Sequence, residues 1–225
     1  MNVRSVALAV ALLFLASSLY AADAVTLTTQ KEKLSYVIGV QIANDMKRQS
    51  MDVDPAILGK GLQDTLLGNK PLISDQEVKE FMAAYQKEKA EESKKLGEKN
   101  KQEGAAFLAE NKKKEGVKTL PDGLQYKVLK EGTGKTPKTS DTVVTQYRGT
   151  FINGTEFASS YKRNEPATFP VTGVMPFWAE ALVLMKEGSK WQLFVPPELA
   201  YGEQGSGPIG PNATLIFEVE LVAVK

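Results

Sequence analysis

The sequence predicts an α+β protein: an all-helical N-terminal module, a long connecting helix, and a C-terminal antiparallel β half-barrel with one short helix. Three observations carry this. Apolar residues recur at three- and four-residue spacing as far as Tyr85, and beyond Gly116 they alternate singly with polar ones. Between the two lies KEKAEESKKLGEKNKQEG, rich in helix formers but with little to bury. The expected divisions are a leader over 1–24, a helical module with its linker helix over 25–115, and the β domain over 116–225.

The leader has a positive start at Arg4, an apolar run from Val6 to Leu19, and Ala22-Asp23-Ala24, which fits the small-x-small cleavage rule. A cleaved signal peptide is expected, with Ala22 as an alternative cut. The competing reading, an uncleaved anchor, is disfavoured by the shortness of the run. Nothing after it is long and apolar enough to span a bilayer. The expected location is the periplasm, with secretion or outer-membrane association left open.

Leu34, Val37, Ile38, Ile42 and Met46 mark the apolar face of a first helix over Lys31 to Met46. A second starts at Asp54-Pro55, a side-chain cap before a proline suited to the first turn. It carries Ile57, Leu58, Leu62 and Leu66 and stops at Gly68-Asn69. Ser74-Asp75-Gln76-Glu77 is a capping-box signature, and Val78, Phe81, Met82 and Tyr85 continue an apolar stripe.

Run on to about Lys114, this third helix would be roughly 60 Å long and would hold the β domain away from the first two helices. Its middle turns are expected to pack on nothing, with bending at Gly97 and Gly104, and Phe107 and Leu108 are expected to pack near the β domain. Two short helices and one stripe make too little core for a monomer, so a homodimer through these helices is expected, with Met46 and Met82 filling gaps.

Pro121-Asp122-Gly123 is a turn, followed by alternating Leu124, Tyr126 and Val128. Asp141 to Phe151 reads as a strand, and Asn153-Gly154 as a hairpin turn into Thr155-Glu156-Phe157. Trp178 to Met185 is a short helix closed by Gly188. Trp191, Leu193 and Val195 alternate next, then Leu215, Phe217, Val219 and Leu221. Strands with one short helix on one face make the half-barrel.

Composition excludes more chemistry than it suggests. With neither Cys nor His, the chain has no thiolate nucleophile, Ser/His relay, imidazole base or zinc site of the usual ligand sets. No metal and no cofactor are expected. A net charge of +1 gives no long-range steering towards nucleic acid, which is not an expected partner.

Tyr147, Phe157, Phe169, Val174, Met175, Trp178, Tyr201, Ile209 and Phe217 recur in turn-rich, strand-like sequence, which points to one aromatic-lined pocket. Ordinary core is the competing reading for each aromatic alone, and it is kept for Phe217 and Tyr126. Trp178 and Tyr201 sit beside Pro/Gly-rich loop sequence, where function tends to concentrate. Trp191, by alternation, reads as core.

The segments FPVTGVMPFW, VPPELAYGEQGSGPIGP and NATLIFEVEL resemble FKBP-type peptidyl-prolyl cis/trans isomerases over about Leu124 to Val224. The helical first half narrows the resemblance to the macrophage infectivity potentiator branch. The resemblance implies catalytic roles for Tyr201, Trp178, Phe157 and Phe217, with Trp178 as pocket floor and Tyr201 as hydroxyl donor. It implies substrate binding by Tyr147, Phe169, Ile209, Ala158 and Arg163, and by Val174 and Met175 through their backbone N–H groups.

Three positions depart from the family pattern. Ala158 stands where an Asp is usual, so it can neither hydrogen-bond a ligand nor pair with Arg163, which is expected to stack over Tyr147 or find a solvent partner. Phe177 replaces a Gly and is expected to add bulk at the pocket edge. Ala167 replaces an aromatic. The implied activity is peptidyl-prolyl isomerisation of exported client chains, reduced by these changes, with weakened macrolide binding. The alternative is a holdase chaperone or Pro-peptide binding module with a degenerate pocket.

Overall fold

A computed structural model describes residues 26–49 and 51–225; the expected leader lies outside them. The first helix, α1 (Gln30–Arg48), contains no buried residue. Its Leu34, Val37 and Ile38 are 61%, 49% and 47% exposed, so the apolar face that sequence periodicity marks is uncovered in the single chain. Helix α2 (Pro55–Leu67) starts as expected: Asp54 Oδ1 accepts hydrogen bonds from the Ala56 and Ile57 amides, and Gly68, at φ +69°, ends it. Ile57 and Leu66 are likewise exposed.

Helix α3 (Asp75–Asn111) has 37 residues and is about 55 Å long. Its capping box is complete: Ser74 Oγ accepts from the Glu77 amide at 3.2 Å, and the Glu77 carboxylate accepts from the Ser74 amide at 2.7 Å. Among the described residues, no helix is long and apolar enough to cross a membrane.

One expectation for α3 needs correction. The helix is continuous through Gly97 and Gly104, and around these residues it does not pack on nothing. Gly97, Gly104 and Asn111 are its buried residues, spaced seven apart on one face. A Cβ at Gly97 would lie 3.3 Å from Pro211 Cβ, and one at Gly104 would overlap Thr214 Oγ1. These glycines permit close approach to Pro211 and Thr214. Asn111 Nδ2 donates to Gln125 Oε1 at 3.0 Å, Gln125 Nε2 donates to the Leu108 carbonyl at 3.0 Å, and the Phe107 ring lies 6.0 Å from that of Phe194.

Seven strands form one antiparallel sheet: β1 (Val117–Thr119), β2 (Gln125–Lys130), β3 (Thr142–Phe151), β4 (Glu156–Ser159), β5 (Ala167–Pro170), β6 (Lys190–Val195) and β7 (Leu215–Val224). Their spatial order is β1-β2-β6-β7-β3-β4, with β5 also paired to β3. Sequence alternation and, for β4, the preceding hairpin turn mark all but β1 and β5, which are short and follow no such turn. The hairpin turn is as expected: Gly154 takes φ +86°, and Asn153 Oδ1 accepts from the Thr155 amide at 2.9 Å.

Helix α4 (Pro176–Leu182) buries Phe177, Trp178, Ala181 and Leu182 among Leu193, Val195, Leu215 and Val219 of the sheet. Trp191 is core, as alternation predicts, with Tyr126 stacked on it at 4.4 Å and 6° between ring planes.

Candidate functional site

Four strands, α4 and the long β6–β7 connection, residues 196–214, meet around a cavity of about 510 Å³. Tyr147 comes from β3, Phe157 and Ala158 from β4, Phe169 from β5 and Phe217 from β7. Val174 and Met175 lead into α4, which supplies Trp178, and the connection brings Tyr201 and Ile209. Of the catalytic and substrate-binding residues that the resemblance implies, only Arg163 does not line the cavity.

The aromatic rings order one another. Trp178 meets Tyr147 edge-on at 5.4 Å and 87°, Phe217 at 5.8 Å and 81°, and Phe169 at 6.1 Å and 76°. Phe157 meets Phe217 at 5.6 Å and 88°. Edge-to-face contact places the positive rim of one ring on the negative face of the next, so five side chains fix one shape. Phe217 serves both readings: it is 6% exposed, part of the core, and still forms cavity wall.

Backbone bonding fixes the same wall. Ser160, fully buried, accepts the Tyr147 amide at 2.8 Å and donates its own amide to the Tyr147 carbonyl at 3.0 Å. The Met175 carbonyl accepts from the Trp178 and Ala179 amides at 2.9 and 3.1 Å, whereas the Met175 N–H precedes the helix and lies outside its bonding. Gly149 on β3 has no side chain because Phe157 and Phe217 occupy that space: a Cβ there would lie 2.7 Å from Phe157 Cζ.

Arg163 stands behind Tyr147. Its Nη2 donates to the Tyr147 hydroxyl at 3.1 Å, and the guanidinium lies 5.7 Å from that ring's centre. The bond pushes the arginine pKa further up. Of the two alternatives expected for it, Tyr147 and a solvent partner, the structure shows Tyr147. Ala158 lines the cavity without a polar group.

Phe177 requires a correction. It is 1% exposed and points into the core, its ring 5.5 Å from that of Phe217, so it adds no bulk at the cavity edge. Gly173, Ser206, Gly207 and Pro208 line the cavity without having been singled out. The signal for the last three was the segment EQGSGPIGP as a whole, not any one residue.

No lining residue carries a charge, and among the described residues no group of three or more metal-ligating side chains exists. The arrangement offers an apolar, aromatic enclosure with a hydroxyl at its mouth from Tyr201, 37% exposed, and no acid or base.

Residues 31–128 match the domain described as amino terminal to FKBP-type peptidyl-prolyl isomerase, and residues 133–222 match FKBP-type peptidyl-prolyl cis-trans isomerase. Over its full length the chain is 45% identical to the outer membrane protein MIP of Legionella longbeachae, covering 99% of that protein. It belongs to the FKBP-type peptidyl-prolyl cis-trans isomerase family.

Another relative, the peptidyl-prolyl cis-trans isomerase Mip of Coxiella burnetii, is 44% identical over 90% of each chain. The crystal structure of FkpA from Escherichia coli matches at a TM-score of 0.61 and 38% identity, over 89% of this chain and 99% of that one. Both FKBP-type segments, helical and β, thus have counterparts in single relatives.

Proposed function

We propose that this FKBP-type chain is a peptidyl-prolyl cis/trans isomerase assisting the folding of exported proteins. The observation that carries the reading is the uncharged aromatic cavity, which suits a reaction that needs no acid, base or nucleophile. Rotation about the X-Pro bond faces a barrier of about 18–20 kcal/mol, and no covalent bond is made or broken. A ten-thousandfold acceleration needs only about 5–6 kcal/mol. Excluding water weakens the stabilisation of the polar planar amide, and a pocket fitted to the twisted form binds it more tightly than either planar one.

In this reading Trp178 is the floor, and Tyr147, Phe157, Phe169 and Phe217 are walls around the prolyl ring. The Val174 and Met175 amides and the Tyr201 hydroxyl meet substrate carbonyls, and Ile209 closes the rim. Ala158 leaves one wall apolar, which lowers turnover and weakens any macrolide ligand. The holdase alternative drew on Phe177 as well as Ala158; with Phe177 in the core, only Ala158 remains to favour it.

Peptide exchange measured by NMR tests the reading. Because no lining residue is a carboxylate, imidazole or amine, turnover is expected to exceed the uncatalysed rate and stay flat between about pH 6 and 8. A bell-shaped profile would contradict it.

The helical module, 25–115, pairs with a second copy, and the isomerase domain follows over 116–225. Support comes from the uncovered apolar residues on α1 and α2. Two pockets in one particle raise the effective concentration of a tethered client at the second. Light scattering of the chain at micromolar concentration is expected to give twice the monomer mass, and a monomer mass would exclude pairing. The expected signal peptide supports a periplasmic location, and the name of the Legionella longbeachae relative is compatible with outer-membrane association.

A further inference from the structure

We propose that α3 is a positioning element for the pocket, with Asn100 as the residue that holds the β6–β7 connection in its working shape. The proposal rests on the isomerase reading above. A connection of this length, residues 196–214, is ordinarily among the more mobile parts of a domain. Yet it supplies Tyr201, Pro208 and Ile209 to the cavity wall.

Internal bonds alone make a small folded loop. The Gly205 amide donates to the Tyr201 carbonyl at 3.2 Å, Ser206 and Ile209 exchange backbone bonds of 2.8 and 3.0 Å, and the Asn212 amide donates to the Gly202 carbonyl at 2.8 Å. Burial of Ile209 and Ala213 in the core and the Gly202 amide bond to the Pro197 carbonyl anchor this unit, and α3 adds contacts at its far end, residues 210–214. Asn100 Nδ2 donates to the Pro211 carbonyl at 2.8 Å, and Asn212 Nδ2 donates to the Gly97 carbonyl at 3.4 Å. Gly104 packs so closely on Thr214 that no side chain fits between them, and Leu96 lies against Gly210.

Asn212 takes φ +53°, a left-handed conformation uncommon outside glycine, which persists where surrounding bonds over-determine it. Here its amide is bonded to the Gly202 carbonyl, next to Tyr201, and its side chain to α3, so one residue joins the two. Pro208 lines the catalytic cavity and also a second cavity of about 240 Å³, which is walled on its far side by Leu96 and Asn100. A shift of α3 therefore reaches the pocket wall through Asn212 and through Leu96 against Gly210, the residue after Ile209.

Asn100 touches no substrate in this account; it acts through the loop. The test uses the full chain with Asn100→Ala and Asn100→Asp, the latter keeping the shape but offering no donor to the Pro211 carbonyl. Lys101→Ala, at an exposed neighbouring position, is the control. Amide hydrogen exchange at Asn212, Ser206 and Ile209 reports loop order without reference to turnover, and exchange at Leu193 and Val219 reports the integrity of the sheet.

Both Asn100 variants are expected to speed loop exchange about tenfold and leave the sheet unchanged. They should lower kcat/KM for a prolyl peptide about fivefold, with the control unaffected, since small misplacement of a binding wall is costly. Loop exchange within twofold of the parent overturns the proposal. So does faster loop exchange with unaltered turnover. If the unaltered chain itself fails to accelerate peptide exchange, the isomerase reading fails instead, and loop exchange alone decides whether α3 holds the connection.

Discussion

Trp178→Ala is expected to destabilise the β domain by about 3–5 kcal/mol and to remove at least about nine-tenths of peptide turnover. The side chain is 7% exposed and meets Tyr147, Phe169 and Phe217 edge-on, so its loss leaves a void that three rings border. The rings cannot all move inward, because Tyr147 is held through its backbone by Ser160 and Phe217 is paired on both sides within the sheet, with Gly149 and with Leu193. Denaturant titration checks the stability change, and NMR exchange of a prolyl peptide checks turnover. Trp178→Phe keeps an aromatic floor and is expected to fall between the two. Parent-like turnover in Trp178→Ala would mean that the floor contributes nothing to the twisted state.

Gly149→Val is expected to damage stability and activity together through overcrowding. A Cβ at this position would lie within 2.9 Å of atoms of both Phe157 and Phe217, and valine adds two methyl groups beyond it. Overpacking of this kind costs about 1–3 kcal/mol. The rings that must give way are cavity walls, so the strain is relieved by shrinking the pocket, and peptide affinity should fall with turnover. By contrast, Gly154 has open space around its Cβ position, so any penalty for a side chain there comes from its φ of +86° alone. A folded Gly149→Val domain with unchanged peptide binding would contradict the assignment of Phe157 and Phe217 to the binding wall.

Features with local causes were legible in the sequence. The Asp54 cap, the Ser74 capping box and the Asn153-Gly154 turn each satisfy their bonds within a few residues, so the residue pattern announces the geometry. The roles of Gly97 and Gly104 were not legible, because locally a glycine only weakens a helix. The reason for them lies in Pro211 and Thr214, far along the chain; the Asn100 to Pro211 bond spans 111 residues.

Phe177 was misread for a related reason. Consecutive helical residues point about 100° apart, so beside Trp178 on the cavity its neighbour faces the core. Periodicity alone could not assign which of the two faced which side in so short a helix. The cavity aromatics were legible from their recurrence in turn-rich, strand-like sequence, and the family resemblance supplied their roles. Ser160 and Pro208 escaped notice, since neither a buried serine clamp nor one proline in a Pro/Gly-rich run carries a signature of its own.

The most direct test of an isomerase working through this pocket is cis/trans exchange of a short Leu-Pro-Phe peptide, beside Tyr201→Phe and Ala158→Asp. Uncatalysed exchange takes tens to hundreds of seconds, so acceleration is easily resolved. The account predicts exchange well above that rate, weakened by Tyr201→Phe and raised by Ala158→Asp. Exchange at the uncatalysed rate, despite measurable peptide binding, would contradict it and leave a peptide-binding protein on an isomerase fold.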